Sequence, residues 1–223
     1  MFTYWAYSTS IEESSMVMPR AVLIGEGNDD ASLLNIVTWM LSICTREQIQ
    51  CEWVDVSKIG KGRPTTLNDR VNRLKAATPP DLLFVHRDAD KDGWEPRIAE
   101  IQDAVGALPC VPVVPVRATE AWFLLFEPEL RRAAGRASSR APLNLPALRQ
   151  IEGLGNPKMR FGEALRDAAG VTRLPNDHAR SAALHRMSEL IQDWSPLRQL
   201  PAVQRLEAHT RTALTQLGLP LLG

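Results

Sequence analysis

Three carboxylates stand at alternate positions in the stretch DLLFVHRDADKDG, residues 81–93: Asp88, Asp90 and Asp92. They follow the apolar run Leu82, Leu83, Phe84 and Val85, which is short, bounded and followed by a turn signal. Such a run reads as a buried central strand, so the acids fall at or just past its carboxyl end. Three negative charges this close repel one another, and a bound cation relieves the repulsion. Hard divalent ions such as Mg²⁺ prefer carboxylate and water oxygens. The plain alternative is a solvated acidic turn, since Asp and Gly are common turn residues. Two further acids favour the metal. Glu26 sits between Gly25 and Gly27 after the apolar run 21–24, and Glu120 follows the run 111–116. Asp29 and Asp30 have an ordinary explanation as helix-start acids, as has Glu120. Glu26, pinned between glycines beyond a strand, instead suggests a side chain aimed into a crevice.

Strands are expected over 21–24, 51–56, 82–85 and 111–116, the last at a sheet edge because it holds two prolines. Helices are expected between them, over about 29–41, 65–77 and 95–107. The alternation predicts an α/β fold, a Rossmann-like, mostly parallel sheet with crossover helices. Ligands bind outside the carboxyl ends of such strands, where Glu26, Asp88 and Glu120 would share one rim. After an apolar helix start at residues 119–126, Arg131, Arg132, Arg136 and Arg140 suggest a basic linker or flap over 128–145. Residues 146–223 read as helices, over 145–151, 158–169, 177–194 and 196–217, packed on a core spanning 19–127. Residues 1–18 read as an N-terminal extension. Lys58, Lys61 and Arg63 lie in a glycine-containing loop suited to phosphate contacts, and Lys158 opens a helix. His178 and His185, seven apart, lack the usual spacing of a helical ligand pair.

The chain has 223 residues, with 26 basic and 26 acidic side chains. A formal net charge of zero gives no global drive toward nucleic acid or membrane, so a polyanion site must be a local patch. The three cysteines, Cys44, Cys51 and Cys110, have no metal-ligand spacing and are odd in number, which favours apolar filling in a reducing compartment. No apolar run approaches the length of a membrane span, and the first twenty residues do not form a secretory signal.

The glutamate in a Gly-Glu-Gly turn after one strand, with a DxD after another about sixty residues on, resembles the Toprim domain of topoisomerases, primases and OLD-type nucleases. The fuller pattern is similar to small Toprim-like proteins of bacterial defence loci. Its parts are Glu26-Gly27-Asn28-Asp29-Asp30, Glu120-Ala121-Trp122, Asn156-Pro157-Lys158 and Ser195-Pro196-Leu197-Arg198. By this resemblance Glu26 is a general base or shared ligand, and Asp88 and Asp90 hold Mg²⁺ or Mn²⁺. Asp30 helps to hold a second metal, and Asp92 and Glu120 are further ligands. The chain departs from the pattern at Ala31, where a second acid is commoner, and the departure touches the second metal.

These readings imply a divalent-metal-dependent nuclease of DNA or RNA in the bacterial cytoplasm, acting in phage defence. Lys58, Lys61, Arg63 and Lys158 would contact the nucleic acid. The chain has no GxxxxGK[ST] loop, so an ATPase partner would act in trans; a homo-oligomer is compatible. The alternative is a weakly active or non-catalytic Toprim subunit that binds and regulates an ABC- or AAA-type ATPase. A receiver-like domain fits less well, because its paired acids follow the first strand.

Overall fold

The computed structural model describes residues 18–89 and 93–223. The expected extension and the two acids Asp90 and Asp92 therefore lie outside the described residues, apart from Met18. Four strands form: β1 (Arg20–Ile24), β2 (Gln50–Trp53), β3 (Leu82–His86) and β4 (Cys110–Val113). They make one all-parallel sheet in the order β2-β1-β3-β4. The first helices are α1 (Leu34–Cys44), α2 (Leu67–Ala77) and α3 (Trp94–Val105). The α/β reading is thus the observed architecture, with β4 at an edge as its prolines require.

The central strands are apolar throughout because both faces are covered. Ala21, Leu23, Leu82, Phe84, Val111 and Val113 face one core, shared with α1 and the C-terminal helices. Val22, Ile24, Leu83 and Val85 face the other, against α2 and α3. Alternate residues of each strand thus serve opposite layers. From β1 the chain crosses to β2 on one side and later to β3 on the other. The gap between β1 and β3 is therefore the topological switch point, where crevices form in such sheets.

Several elements end differently from expectation, each for a local reason. β2 stops at Trp53, because Asp55 caps a 3₁₀ turn (Val56–Lys58) by accepting from the Ser57 amide at 3.0 Å. β4 stops at Val113, ahead of Pro115, which has no amide to donate. Its carbonyl still accepts from the Ala89 amide at 3.2 Å. The helix expected from 145 becomes a 3₁₀ turn (Leu148–Gly153) beyond Pro146.

The C-terminal half comprises α4 (Glu120–Phe123), α5 (Glu127–Ala133), α6 (Pro157–Ala169), α7 (Asp177–Leu190) and α8 (Pro201–Gln216). The helix expected over 196–217 is split at Pro201, which opens α8 after a 3₁₀ turn (Ser195–Gln199). These helices share the core of the sheet's first face. Trp194 meets Phe123 and Phe126 edge-on at 5.7 and 5.2 Å. α8 lies against β4. Beyond it, the Leu222 amide donates to the Cys44 carbonyl at 2.7 Å, and Thr45 Oγ1 donates to the Pro220 carbonyl at 2.7 Å. Within the expected flap, Arg131 is buried on α5 and donates to Glu127 at 2.9 Å and to the Ala141 carbonyl at 2.7 Å. It fastens that stretch down instead of facing a ligand. No helix among the described residues is long and apolar enough to cross a membrane.

Candidate functional site

At the carboxyl end of β1 the chain makes the turn Gly25-Glu26-Gly27 and enters a 3₁₀ segment (Asn28–Leu33) that leads into α1. Asp30 reaches back across this turn. Its Oδ2 accepts from the amides of Glu26 at 2.6 Å and Gly27 at 3.1 Å. The approach is close enough that a Cβ on Gly25 would meet Asp30 Oδ2 at 2.2 Å. Glycine at 25 is therefore a steric requirement of the acid five residues on. Of the two expected helix-start acids, Asp30 is the one that bonds the amides of the turn, from inside the first turn.

The last residue of β3, His86, is buried and carries the centre of the site. Its Nδ1 lies 3.2 Å from Asp30 Oδ2, and its Nε2 lies 3.3 Å from Asp88 Oδ1. Thr119 Oγ1, just before α4, is 3.2 Å from Nε2. Nδ1 and Asp88 Oδ1 are near their partners without hydrogen-bond alignment, so these contacts are electrostatic. Burial lowers the imidazole's proton affinity, but Asp30 and then Asp88 outweigh it and raise its pKa to about 10. His86 is thus a cation held between two carboxylates from adjacent strands. Burial pushes Asp30 up, but His86 and the two amides more than reverse this, and its pKa falls below 3.8.

Neighbouring residues extend the network. Arg87 forms an ion pair with Glu26 and a second with Glu100 at 3.2 Å. Lys158, at the start of α6, stands 3.7 Å from Asp88 Oδ2. Arg97 Nε donates to the Asp88 carbonyl at 3.2 Å. Burial pushes the Glu120 carboxyl up; Asp88 and Asp29 add to this and Lys158 partly offsets it. Ser181 on α7 donates to Asp29 Oδ1, and Ser188 Oγ on the same helix donates to the Ser32 carbonyl at 2.6 Å.

The expected residues are therefore divided. Asp30 and Asp88 meet through His86. Asp29, Glu120 and Lys158 line a hollow of about 170 Å³ closed by Arg180 and Ser181 of α7. Glu26, Lys58 and Arg63 line a separate crevice of about 570 Å³, with Arg70 and Trp53. Lys61 is exposed and is not among that crevice's lining residues. His86 and Arg87, which the sequence reading passes over, are the residues that join the acids. The sequence carries part of the signal: a histidine at the end of a buried strand, followed by Arg87 and an acid, calls for carboxylate partners, but the pattern does not name them.

Among the described residues no group of three or more His, Cys, Asp or Glu side chains is placed to hold a metal ion. The donor set fits a hard cation in part. Asp88 is the nearest to a fit: neither carboxylate oxygen is tied to a backbone amide, but Oδ1 faces the His86 cation at 3.3 Å and Oδ2 faces Lys158 at 3.7 Å, so a hard cation would have to displace one of them. Asp30 fits poorly as the ligand of a second metal, because Oδ2 is committed to two amides and faces His86. Its observed role is to lock the turn. Comparison with protein-family models, with curated proteins and with solved structures finds no match for the chain.

Proposed function

We propose that the chain is a divalent-metal-dependent phosphodiester hydrolase acting on nucleic acid in the cytoplasm, in a defence role. One observation carries the reading. Asp30 from the turn after β1 and Asp88 from the end of β3 meet on a buried histidine at one edge of a parallel sheet, and Glu120 at the start of α4 is near enough to Asp88 to feel its charge. Asp88 is the ligand this site offers, with Glu120 beside it and Glu26 in the neighbouring crevice; Asp90 and Asp92, the other expected ligands, lie outside the described residues. A metal held by Asp88 would supply charge relief on the phosphate and acidify a water. Glu26, ion-paired with Arg87, is the residue suited to act as general base. Lys158, beside Asp88, is placed to meet the negative charge that develops on phosphate. His86 holds Asp88 in place and lowers the cost of gathering acids.

A second reading rests on the same ion pairs. Asp88 and Glu26 already face His86, Lys158 and Arg87. A site whose acids are internally matched suits a weakly active subunit that regulates a separate ATPase.

The test uses wild type, Asp88→Asn and Glu26→Gln with labelled DNA and RNA, in Mg²⁺, Mn²⁺ or EDTA. Cleavage should need metal and fall at least about 100-fold in each variant. Thermal stabilisation by Mn²⁺ should vanish in Asp88→Asn. Metal binding without cleavage favours the regulatory subunit. Cleavage at wild-type rates in both variants overturns the hydrolase assignment.

A further inference from the structure

We propose that the crevice between the Gly-Glu-Gly turn and the β2–α2 loop seats one unpaired nucleotide of a nucleic-acid strand, its phosphate on Lys58 and Arg63. The proposal rests on the hydrolase reading of the adjoining acids and narrows its substrate to single strands or frayed ends.

Size is the first argument. The crevice holds about 570 Å³, within the usual range of ligand pockets. A cube of that volume is only about 8 Å on a side, narrower than the ~12 Å major groove of a duplex. A site of that size takes a ligand of single-nucleotide size and not the body of a duplex, whose major groove alone is wider.

Charge is the second. Lys58, Arg63 and Arg70 line the crevice together with Glu26 and Asp55. Both acids are already engaged. Asp55 accepts from the Ser57 amide at 3.0 Å and hydroxyl at 2.6 Å, and Glu26 pairs with Arg87. Lys58 reaches Asp55 at 3.4 Å, but its side chain remains 80% exposed, so it can swing to an incoming phosphate. What remains is a basic wall beside the candidate catalytic edge.

Pre-organisation is the third. Both walls are fixed by one helix. Arg70 of α2 donates to the Gly25 carbonyl at 2.7 Å. Arg73, one turn on, donates to the carbonyls of Ile59 at 3.1 Å and Gly62 at 2.6 Å. The loop bearing Lys58 and Arg63 therefore keeps a set distance from the Gly-Glu-Gly turn before any ligand arrives, which reduces the ordering cost of binding. Trp53, at the end of β2, is the aromatic residue of the lining; it is half-buried against the core of the sheet's first face, and the part of its ring left open is where a base would stack.

The experiment measures binding of a labelled single strand and the matching duplex to the full chain carrying Asp88→Asn, in EDTA, by fluorescence anisotropy. The single strand should bind at least about tenfold more tightly than the duplex. Adding Lys58→Ala and Arg63→Ala together should weaken it about tenfold and reduce the salt slope by about 1.4, two single-strand phosphates' worth. Trp53→Leu should cost about fivefold or more. Equal binding of duplex and single strand overturns the proposal, as does an affinity and salt slope unmoved by the double substitution. A nucleoside monophosphate that binds the crevice when the strand does not assigns it to free nucleotide and also overturns the strand seat. Wild-type cleavage that ignores the crevice substitutions sinks the seat and leaves the hydrolase standing. Crevice-dependent binding without cleavage in Mg²⁺ or Mn²⁺ sinks the hydrolase and leaves the seat.

Discussion

Two hollows flank the Asp30–His86–Asp88 link, and they are built differently. The larger, about 570 Å³, lies wholly within the sheet half, between the turn after β1 and the loop after β2. The smaller, about 170 Å³, needs the C-terminal helices, because α6 brings Lys158 and α7 brings Arg180 and Ser181. The first is open, basic and braced from α2. The second is tighter and holds the half-buried Glu120. The difference separates two environments: one side is a roomy basic crevice, the other a small pocket about a half-buried carboxylate. The sheet half sets out Asp30 and Asp88, and the helical half adds Glu120 and decides how far one side of them is closed from water.

The largest effect should come from cutting the link itself. His86→Ala leaves two carboxylates facing an empty space, and removing one member of a buried ionic set costs about 3–5 kcal/mol. Urea unfolding in EDTA measures it; a loss under about 1 kcal/mol would show the two hollows to be independent. The same link has a pH signature. Folding raises the His86 pKa from 6.5 to about 10, so its contribution is complete below about pH 6.5 and is lost as pH climbs toward 10. Wild type should lose stability across that window, and His86→Asn should be flatter there. Asp30 acts oppositely, contributing above its ordinary value of 3.8 and losing its contribution as the solution becomes more acid.

Gly25→Ala should come next, at about 2–4 kcal/mol, since its methyl group must displace Asp30 Oδ2. This change acts on the larger hollow's wall and on the link together, so Asp30→Asn should add little to it in a double-mutant cycle. Ser181→Ala should cost about 1 kcal/mol by removing a hydrogen bond to Asp29. It should leave binding in the larger crevice unchanged, which checks the separation directly. Smallest is Glu120→Gln, expected to stabilise by about 0.5 kcal/mol at neutral pH by removing a charge that burial already disfavours. A destabilisation there would mean that Glu120 has a partner more favourable than Lys158.

Much of the frame is visible in the chain because buried parallel strands have to be apolar along their whole length. The runs at 21–24, 82–85 and 111–116 announce themselves for that reason, and the prolines of the last place it at an edge. Glu26 beside a crevice was likewise legible, from the glycines on either side. The rest depends on contacts that no local pattern records. Asp30 looks like any helix-start acid until its reach back to Glu26 and Gly27 is seen. His86 reads as the end of a strand, and its two carboxylates come from different segments. α5 hides inside an arginine-rich stretch because Arg131, which looks like a surface cation, is buried against Glu127. The hydroxyls of α7 that hold the start of α1 lie about 150 residues from their partners, beyond any periodicity.

The tail beyond α8 has a consequence for synthesis. The Cys44 carbonyl, at the end of the first long helix, waits for the Leu222 amide, and Thr45 waits for the Pro220 carbonyl. β4 likewise waits for α8 to cover it. A nascent chain emerging from the ribosome therefore carries a finished sheet with one layer bare until almost all of these residues are out. Contacts of such sequence separation are slow to form and leave apolar surface uncovered meanwhile. The interval between making β4 and releasing α8 is when this apolar face has no partner within the chain.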